Sequence, residues 1–252
     1  MSKKTITELH LEKTGKLSDK WESYLNYYDQ LFDGLSDTPL TLLEIGVQNR
    51  GSLNTWAQYF SNAQKIVGCD IDEKCKSLVY EDQRIHVVVG DANSEAANTQ
   101  IRNISDAFDI VIDDGSHISG DILNSFLIYF PLVRPGGIYI IEDSHTLYNS
   151  SFGGGILNDF GAMNFFKKLI DMVSYQFWDK ELSPNTLLST FFDGHSIPPF
   201  IAEGWVESIE FRNSIITIKK AKNPGHEKLG KRIITGSELA VKDENWLKMV
   251  KG

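Results

Sequence analysis

The chain has 252 residues, 41% of them hydrophobic, with a formal charge of −9 and two cysteines. That length can bury the core of one large α/β domain, and an acidic balance without basic patches argues against nucleic acid or an anionic membrane as partner. Cys69 and Cys75 lack metal-site spacing, no apolar run approaches the roughly 18 residues of a spanning helix, and the first ten residues lack a signal-peptide core, so a cytoplasmic protein is expected.

Residues 17–35 (LSDKWESYLNYYDQLFDGL) place apolar groups three and four apart, which predicts an amphipathic helix capped by Ser18 or Asp19. Residues 1–38 are expected to form a helical cap on a single domain spanning 1–252. TLLEIGV (41–47) predicts a buried strand, followed by a glycine-containing turn and a helix over NTWAQYF. IVGCDI (66–71), IHVVVGD (85–91), FDIVIDD (108–114) and GIYIIED (137–143) repeat the pattern, β-branched and ending in acid or glycine. A helix over DILNSFLIYFPLV precedes Arg134-Pro135-Gly136-Gly137, and GAMNFFKKLIDMVSYQFW (161–178) predicts another. Gly153-Gly154-Gly155 reads as a mobile loop over a site. WVESIEF (205–211) and SIITIKKA (214–221) flank Arg212-Asn213, a tight hairpin turn. His195 and His226 have no partner spacing and are expected in surface loops. The alternation predicts an α/β, Rossmann-like, doubly wound seven-stranded sheet, mostly parallel with a C-terminal antiparallel hairpin.

Chemistry concentrates at the strand ends. Asp113-Asp114-Gly115-Ser116-His117 follows one strand and Glu142-Asp143 the next, and carboxylates grouped in this way are costly unless a positive charge sits among them. A divalent cation is the obvious remedy. Ligands of open α/β sheets bind outside the carboxyl ends of the strands, so Glu44, Gly46, Gly51, Asp70 and Asp91 mark a nucleoside site, with Asp70 suited to ribose hydroxyls and Asp91 to an adenine amino group. The Gly46-x4-Gly51 spacing is neither a dinucleotide fingerprint nor a phosphate loop. Tyr148, Phe152 and Trp178 are candidates for a sugar-stacking wall.

Ser18-Asp19-Lys20-Trp21, LLEIGV with Gly51-Ser52, the D-D-G-S-H run, RPGG followed by IYIIED, and the stretch from Thr146-Leu147-Tyr148 to Phe152-Gly153-Gly154 resemble the class I S-adenosylmethionine-dependent methyltransferases. Within that class they resemble the metal-dependent sugar O-methyltransferases of macrolide biosynthesis, of mycinamicin and tylosin type. The resemblance implies Mg2+ (or Mn2+) on Asp114, Glu142 and Asp143, and His117 as general base. It also implies S-adenosyl-L-methionine beside Glu44, Gly46, Gly51, Ser52, Asp70, Asp91 and Asp113, and a homo-oligomer. The chain departs from the pattern at His145, where the macrolide enzymes carry glutamine, and at Tyr24, where histidine is common; His145 is expected to contact substrate or support the site. The expected function is Mg2+-dependent methylation of a sugar hydroxyl, on a nucleotide-activated sugar for surface polysaccharide or on a glycosylated natural product. A phenolic O-methyltransferase, a metal-dependent hydroxylase and a non-catalytic cofactor-binding protein are the alternatives.

Overall fold

The seven apolar runs become seven strands of one sheet in a computed structural model, which describes residues 3–49, 51–77, 79–179, 181–192 and 196–236. In chain order the elements are α1 (Ile6–Leu11), α2 (Glu22–Leu31), β1 (Thr41–Ile45), α3 (Gly51–Tyr59), β2 (Lys65–Asp70), β3 (Ile85–Val89), α4 (Glu95–Ile104), β4 (Phe108–Asp113) and α5 (Ser119–Tyr129). β5 (Val133–Ile141), α6 (Ala162–Val173), α7 (Pro184–Phe192), α8 (Pro199–Ala202), β6 (Val206–Arg212) and β7 (Ile215–Lys220) follow. The spatial order is β3-β2-β1-β4-β5-β7-β6. The first five strands run parallel, and β7 pairs antiparallel with both β5 and β6. Among the described residues no helix is long and apolar enough to cross a membrane.

Several local expectations are corrected. The helix read over 17–35 begins only at Glu22, with Trp21 at its N-cap position and no side-chain cap, so neither Ser18 nor Asp19 caps it. Residues 17–20 are drawn into tertiary contacts instead: the Leu17 carbonyl accepts the Gly51 N–H at 3.0 Å, and Lys20 reaches the strand ends. β5 starts at Val133, four residues before the strand read over 137–143, and a register shift between Phe108 and Ile110 absorbs the Pro-Gly-Gly run. Arg212 pairs with Ile215, which moves the hairpin turn to Asn213-Ser214, with Ser214 at φ +70°. The Gly153–Gly155 segment is a hydrogen-bonded turn, its three N–H groups donating to Ser150, Asn149 and Leu147 carbonyls. His226 does lie in a loop, as expected, but it is partnered there: its ring packs on Tyr175 at 4.4 Å and its Nε2 lies 2.7 Å from the Ala202 carbonyl. His195 lies outside the described residues.

The strand pleat sends alternate residues to opposite faces. One face carries Leu43, Val67, Val111, Tyr139 and Ile141 against α5 and α6; the other carries Leu42, Ile66, Ile110, Ile112 and Ile140 against Tyr24, Tyr28, Phe32 and Trp56. The N-terminal segment therefore covers a sheet face that would otherwise be wet. On the first face Phe126 is the aromatic hub, with the rings of Phe130, Tyr139, Phe165, Phe166 and Phe200 at 4.9, 5.4, 5.9, 5.4 and 5.7 Å. Phe126→Ala should lower unfolding free energy by about 3–5 kcal/mol, read from urea midpoints. The exposed Phe177→Ala should change it by no more than about 0.5 kcal/mol.

Candidate active site

The sheet hydrogen bonding continues one residue past β1, β4 and β5. Gly46 N–H donates to Cys69 O at 2.8 Å, Asp114 N–H to Ile45 O at 2.9 Å, and Glu142 N–H to Asp113 O at 2.9 Å. Because Ile45 stands opposite Asp113 and Asp113 opposite Ile141, this extension sets Gly46, Asp114 and Glu142 side by side at the carboxyl edge. Glu44, Asp114 and Glu142 then share the face covered by the N-terminal segment. Asp113 points to the other face, where its Oδ2 accepts from the Tyr139 hydroxyl at 3.1 Å and its Oδ1 from the Gly115 N–H at 3.3 Å.

Lys20 fills the gap between the three carboxylates of the covered face. Its ammonium lies 2.6 Å from Asp114 Oδ2, 2.7 Å from Glu142 Oε1 and 3.8 Å from Glu44 Oε1, and its side chain is only 5% exposed. Tyr28 donates to the same Glu142 oxygen at 2.7 Å, and Ser52 to Glu44 Oε2 at 2.7 Å; Glu44 Oε1 is buried and accepts no hydrogen bond. One ammonium does not offset this many buried carboxylates. Burial pushes Asp114 up to about 6 despite Lys20, and burial together with the Asp114 charge pushes Glu142 up to about 7. Burial opposes the Lys20 charge, but Glu142, Asp114 and Glu44 hold its pKa well above the ordinary lysine value.

Beside this pair of layers a second trio faces outward. Candidate ligand atoms of Asp114, His117 and Asp143 lie within 4.8 Å of one another, with His117 Nε2 3.6 Å from Asp143 Oδ2 and 4.0 Å from Asp114 Oδ1. Burial lowers the His117 pKa, against the raising effect of Asp143 and Glu142. Asp143 is held from behind: the Tyr24 hydroxyl is 2.7 Å from its Oδ1 and accepts its backbone N–H at 3.1 Å. His145 is half exposed, with Nδ1 2.5 Å from Ser214 Oγ and 3.8 Å from Asp143 Oδ1, so the hairpin tip also reaches the site.

A cavity of about 450 Å³ opens next to the trio, lined by Gly46, Gln48, Asp70, Ile71, Asp91, Asp113, Asp114, His117 and Asp143, among others. Gly46 is required there, because its φ is +82° and a Cβ would lie 2.0 Å from the Asp114 carbonyl oxygen. Asp70 receives the Val47, Gln48 and Asp72 N–H groups at 3.0, 2.6 and 2.8 Å, which fixes the loop after β1 at the cavity wall. Glu44, Gly51 and Ser52 do not line this cavity. Glu44 and Ser52 lie beneath it with Lys20, and Gly51 is a glycine because a Cβ would lie 2.5 Å from the Leu17 carbonyl oxygen. Tyr148 is half exposed under the Lys167 ammonium, 5.5 Å from its ring, and neither Tyr148 nor Phe152 lines the cavity. Trp178 lies elsewhere, in a groove of about 840 Å³ with Tyr175, Phe177 and His226, its Nε1 donating to Asp171 O. Lys20, Tyr28 and Ser214 are site residues that sequence reasoning missed, although Lys20 sits in the Ser18–Trp21 motif; Tyr24 was visible only as a departure from the family pattern, without the contact it makes.

Residues 43–144 match the family model for a methyltransferase domain. The chain is 32% identical over 222 residues to the 8-demethyl-8-alpha-L-rhamnosyl tetracenomycin-C 2'-O-methyltransferase of Streptomyces olivaceus, covering 83% of this chain and 53% of that one. It is 38% identical over 173 residues to the demethylmacrocin O-methyltransferase of Streptomyces fradiae, covering 64% and 43%. The chain thus spans about half the length of the curated relatives it matches. Its fold superposes on the MycE methyltransferase of the mycinamycin biosynthetic pathway, solved in complex with Mg, SAH and mycinamycin VI, with a TM-score of 0.68 and 27% identity over 91% of this chain and 57% of that chain.

Burial raises the Asp113 carboxyl to about 7, although Tyr139 and the Gly115 N–H hold it down. A carboxyl raised in the fold keeps its proton after the unfolded chain has released its own near pH 4, so its contribution to stability is complete below that pH and is lost as pH rises to about 7. Asp113→Asn should flatten this decline by on the order of 2–4 kcal/mol, measured as denaturant midpoints at pH 4.5 and 7.5.

Proposed function

The chain carries a methyltransferase domain, and we propose that it transfers the methyl group of S-adenosylmethionine to a sugar hydroxyl of a glycosylated natural product, assisted by Mg2+ or Mn2+. The convergence of Asp114, His117 and Asp143 at the mouth of the cavity carries this reading. The donor set suits a hard dication, since Glu44, Asp114 and Glu142 surround a single ammonium while Asp143 stands next to His117 with no ammonium of its own. Asp114 and Asp143 would hold the ion, with Glu142 contributing the oxygen that Lys20 and Tyr28 leave free. The domain is read as one unit, with residues 1–38 as the cap that completes the site through Lys20, Tyr24 and Tyr28. The acceptor class follows the tetracenomycin relative, whose name describes O-methylation of a natural product that already carries a rhamnosyl group.

Gly46, Gln48, Asp70 and Asp91 would hold the cofactor in the cavity, whose loop after β1 is fixed by Asp70 before anything binds. When bound, S-adenosylmethionine supplies an electrophilic methyl group and the dication supplies positive charge for an acceptor oxygen that is a weak acid near neutral pH. His117 performs the proton transfer. With its pKa lowered by burial it is neutral at pH 7, and the ring lines the cavity, where its Nε2, beyond hydrogen-bond distance of Asp143 and Asp114, would accept the hydroxyl proton. Asp143, 3.6 Å away, then stabilises the imidazolium, and Tyr24 keeps that carboxylate in place. Pre-positioning of the two reactants supplies much of the remaining acceleration.

His117→Ala should lower kcat by about 10²–10⁴-fold while cofactor affinity, titrated calorimetrically with S-adenosylhomocysteine, stays near wild type. Retained turnover would remove His117 from the reaction. Activity on a glycoside panel, followed by mass spectrometry, should vanish in EDTA and return with Mg2+. Turnover of simple phenols in EDTA would favour a phenolic acceptor instead.

A further inference from the structure

Lys20 is placed where a lone charge would be expensive. An ammonium with a side chain 5% exposed would be forced out of the fold without close anions, and three carboxylates on one sheet face would repel one another without it. The contacts are mutual and specific: Asp114 gives Lys20 its Oδ2 while its Oδ1 faces His117, and Glu142 gives Oε1. The ammonium therefore approaches Asp114 from behind and leaves its front oxygen to the cavity side. Lys20 itself is fixed from outside the sheet, because the Leu17 carbonyl before it is tied to the Gly51 N–H at 3.0 Å and the following Trp21 is the N-cap residue of α2. Nothing in this arrangement requires the lysine to move for the front of the site to be used.

Resting on the metal reading above, we propose that Lys20 is a permanent second cation of the metal seat. It neutralises the rear of the cluster, through Glu44 and Glu142, and orients Asp114, while a dication is taken in front, toward Asp143, beside the ammonium and not in its place. Lys20 is thus a positioning residue that lets the acidic corner fold before any metal arrives.

Three measurements on the full chain test this. After EDTA treatment, Lys20→Met should lose roughly 10 °C in Tm, and the double variant Lys20→Met/Glu142→Gln, which removes one charge of each sign, should recover most of that loss. An unchanged Tm for the single variant, or no recovery in the double, would overturn the counter-ion role. In the wild-type protein, reductive methylation read by mass spectrometry should leave Lys20 unmodified both without metal and with saturating Mg2+. Modification of Lys20 that appears only on adding Mg2+ would show displacement and overturn its permanence, even if the variants do not fold. Mn2+ titration of the wild type by electron paramagnetic resonance separates the two readings: absence of binding would sink the metal assignment, while the metal-free Tm comparison would still decide what Lys20 does.

Discussion

The carboxyl edge of β1, β4 and β5 brings more negative charge to one point than one buried ammonium can offset, and much of the molecule is arranged around that imbalance. The register is dictated by the apolar strands: once Leu43, Val111 and Tyr139 occupy one face and Leu42, Ile110 and Ile138 turn to the other, Asp114 and Glu142 fall next to each other with no further choice. Their repulsion is then relieved by a segment far away in sequence. Lys20 reaches Asp114 across 94 residues and Glu142 across 122, and it can do so because Leu17 to Lys20 stay out of the helix that their spacing would support. Electrostatics at the strand ends and the docking of the N-terminal segment are therefore one event energetically. The aromatic packing of Tyr28 against Phe32 and Trp56 supplies the apolar part of the same contact.

The pleat separates two adjacent aspartates into different jobs. Asp113 faces α5 and α6, takes hydrogen bonds from Tyr139 and the Gly115 N–H, and ties the cavity floor to the larger core. Asp114, one residue on, faces Lys20 and His117. A one-residue slip in β4 would exchange them and place an unpaired carboxylate in the apolar layer, which is a strong reason for the register to be unique.

Much of this was legible in the sequence, for a definite reason. Buried parallel strands are continuous apolar runs, so the residues that end them are easy to see, and Asp70, Asp91, Asp114, Glu142 and Asp143 stand at or beside those ends. The separation of Asp113 from Asp114 follows from alternation alone. What could not be read were contacts that depend on how distant segments approach. Glu44, Gly51 and Ser52 look like cofactor residues by position, yet the structure turns them toward Lys20, Glu44 and Leu17. Trp178 belongs to an aromatic stretch whose spacing is the same whether it builds core, groove or sugar wall, and only the path of the chain after α6 places it beside His226. Lys20 sat inside a visible motif, but a lysine carries no sign in sequence of whether it ends in solvent or between carboxylates.

Backbone strain points to the same corner. Besides Gln48, which follows β1, the non-glycine residues with left-handed φ among those described are His117 at +58°, Asp143 at +49° and Ser214 at +70°. Each such residue costs about 1 kcal/mol or more, and each is restrained by a hydrogen bond with another segment of the chain. Thr146 Oγ1 donates to the His117 carbonyl, Tyr24 accepts the Asp143 N–H, and the Ser214 carbonyl accepts the Ser144 N–H. These three conformations belong to three different loops, after β4, after β5 and between β6 and β7, so no single local sequence preference produces them together. Relaxing any one to an extended backbone would swing its side chain out of the cluster that contains His117, Asp143 and His145. The fold accepts the strain because hydrogen bonds between these loops, and with Tyr24, make the alternative worse, and the consequence is a set of side chains whose directions are fixed by the fold itself.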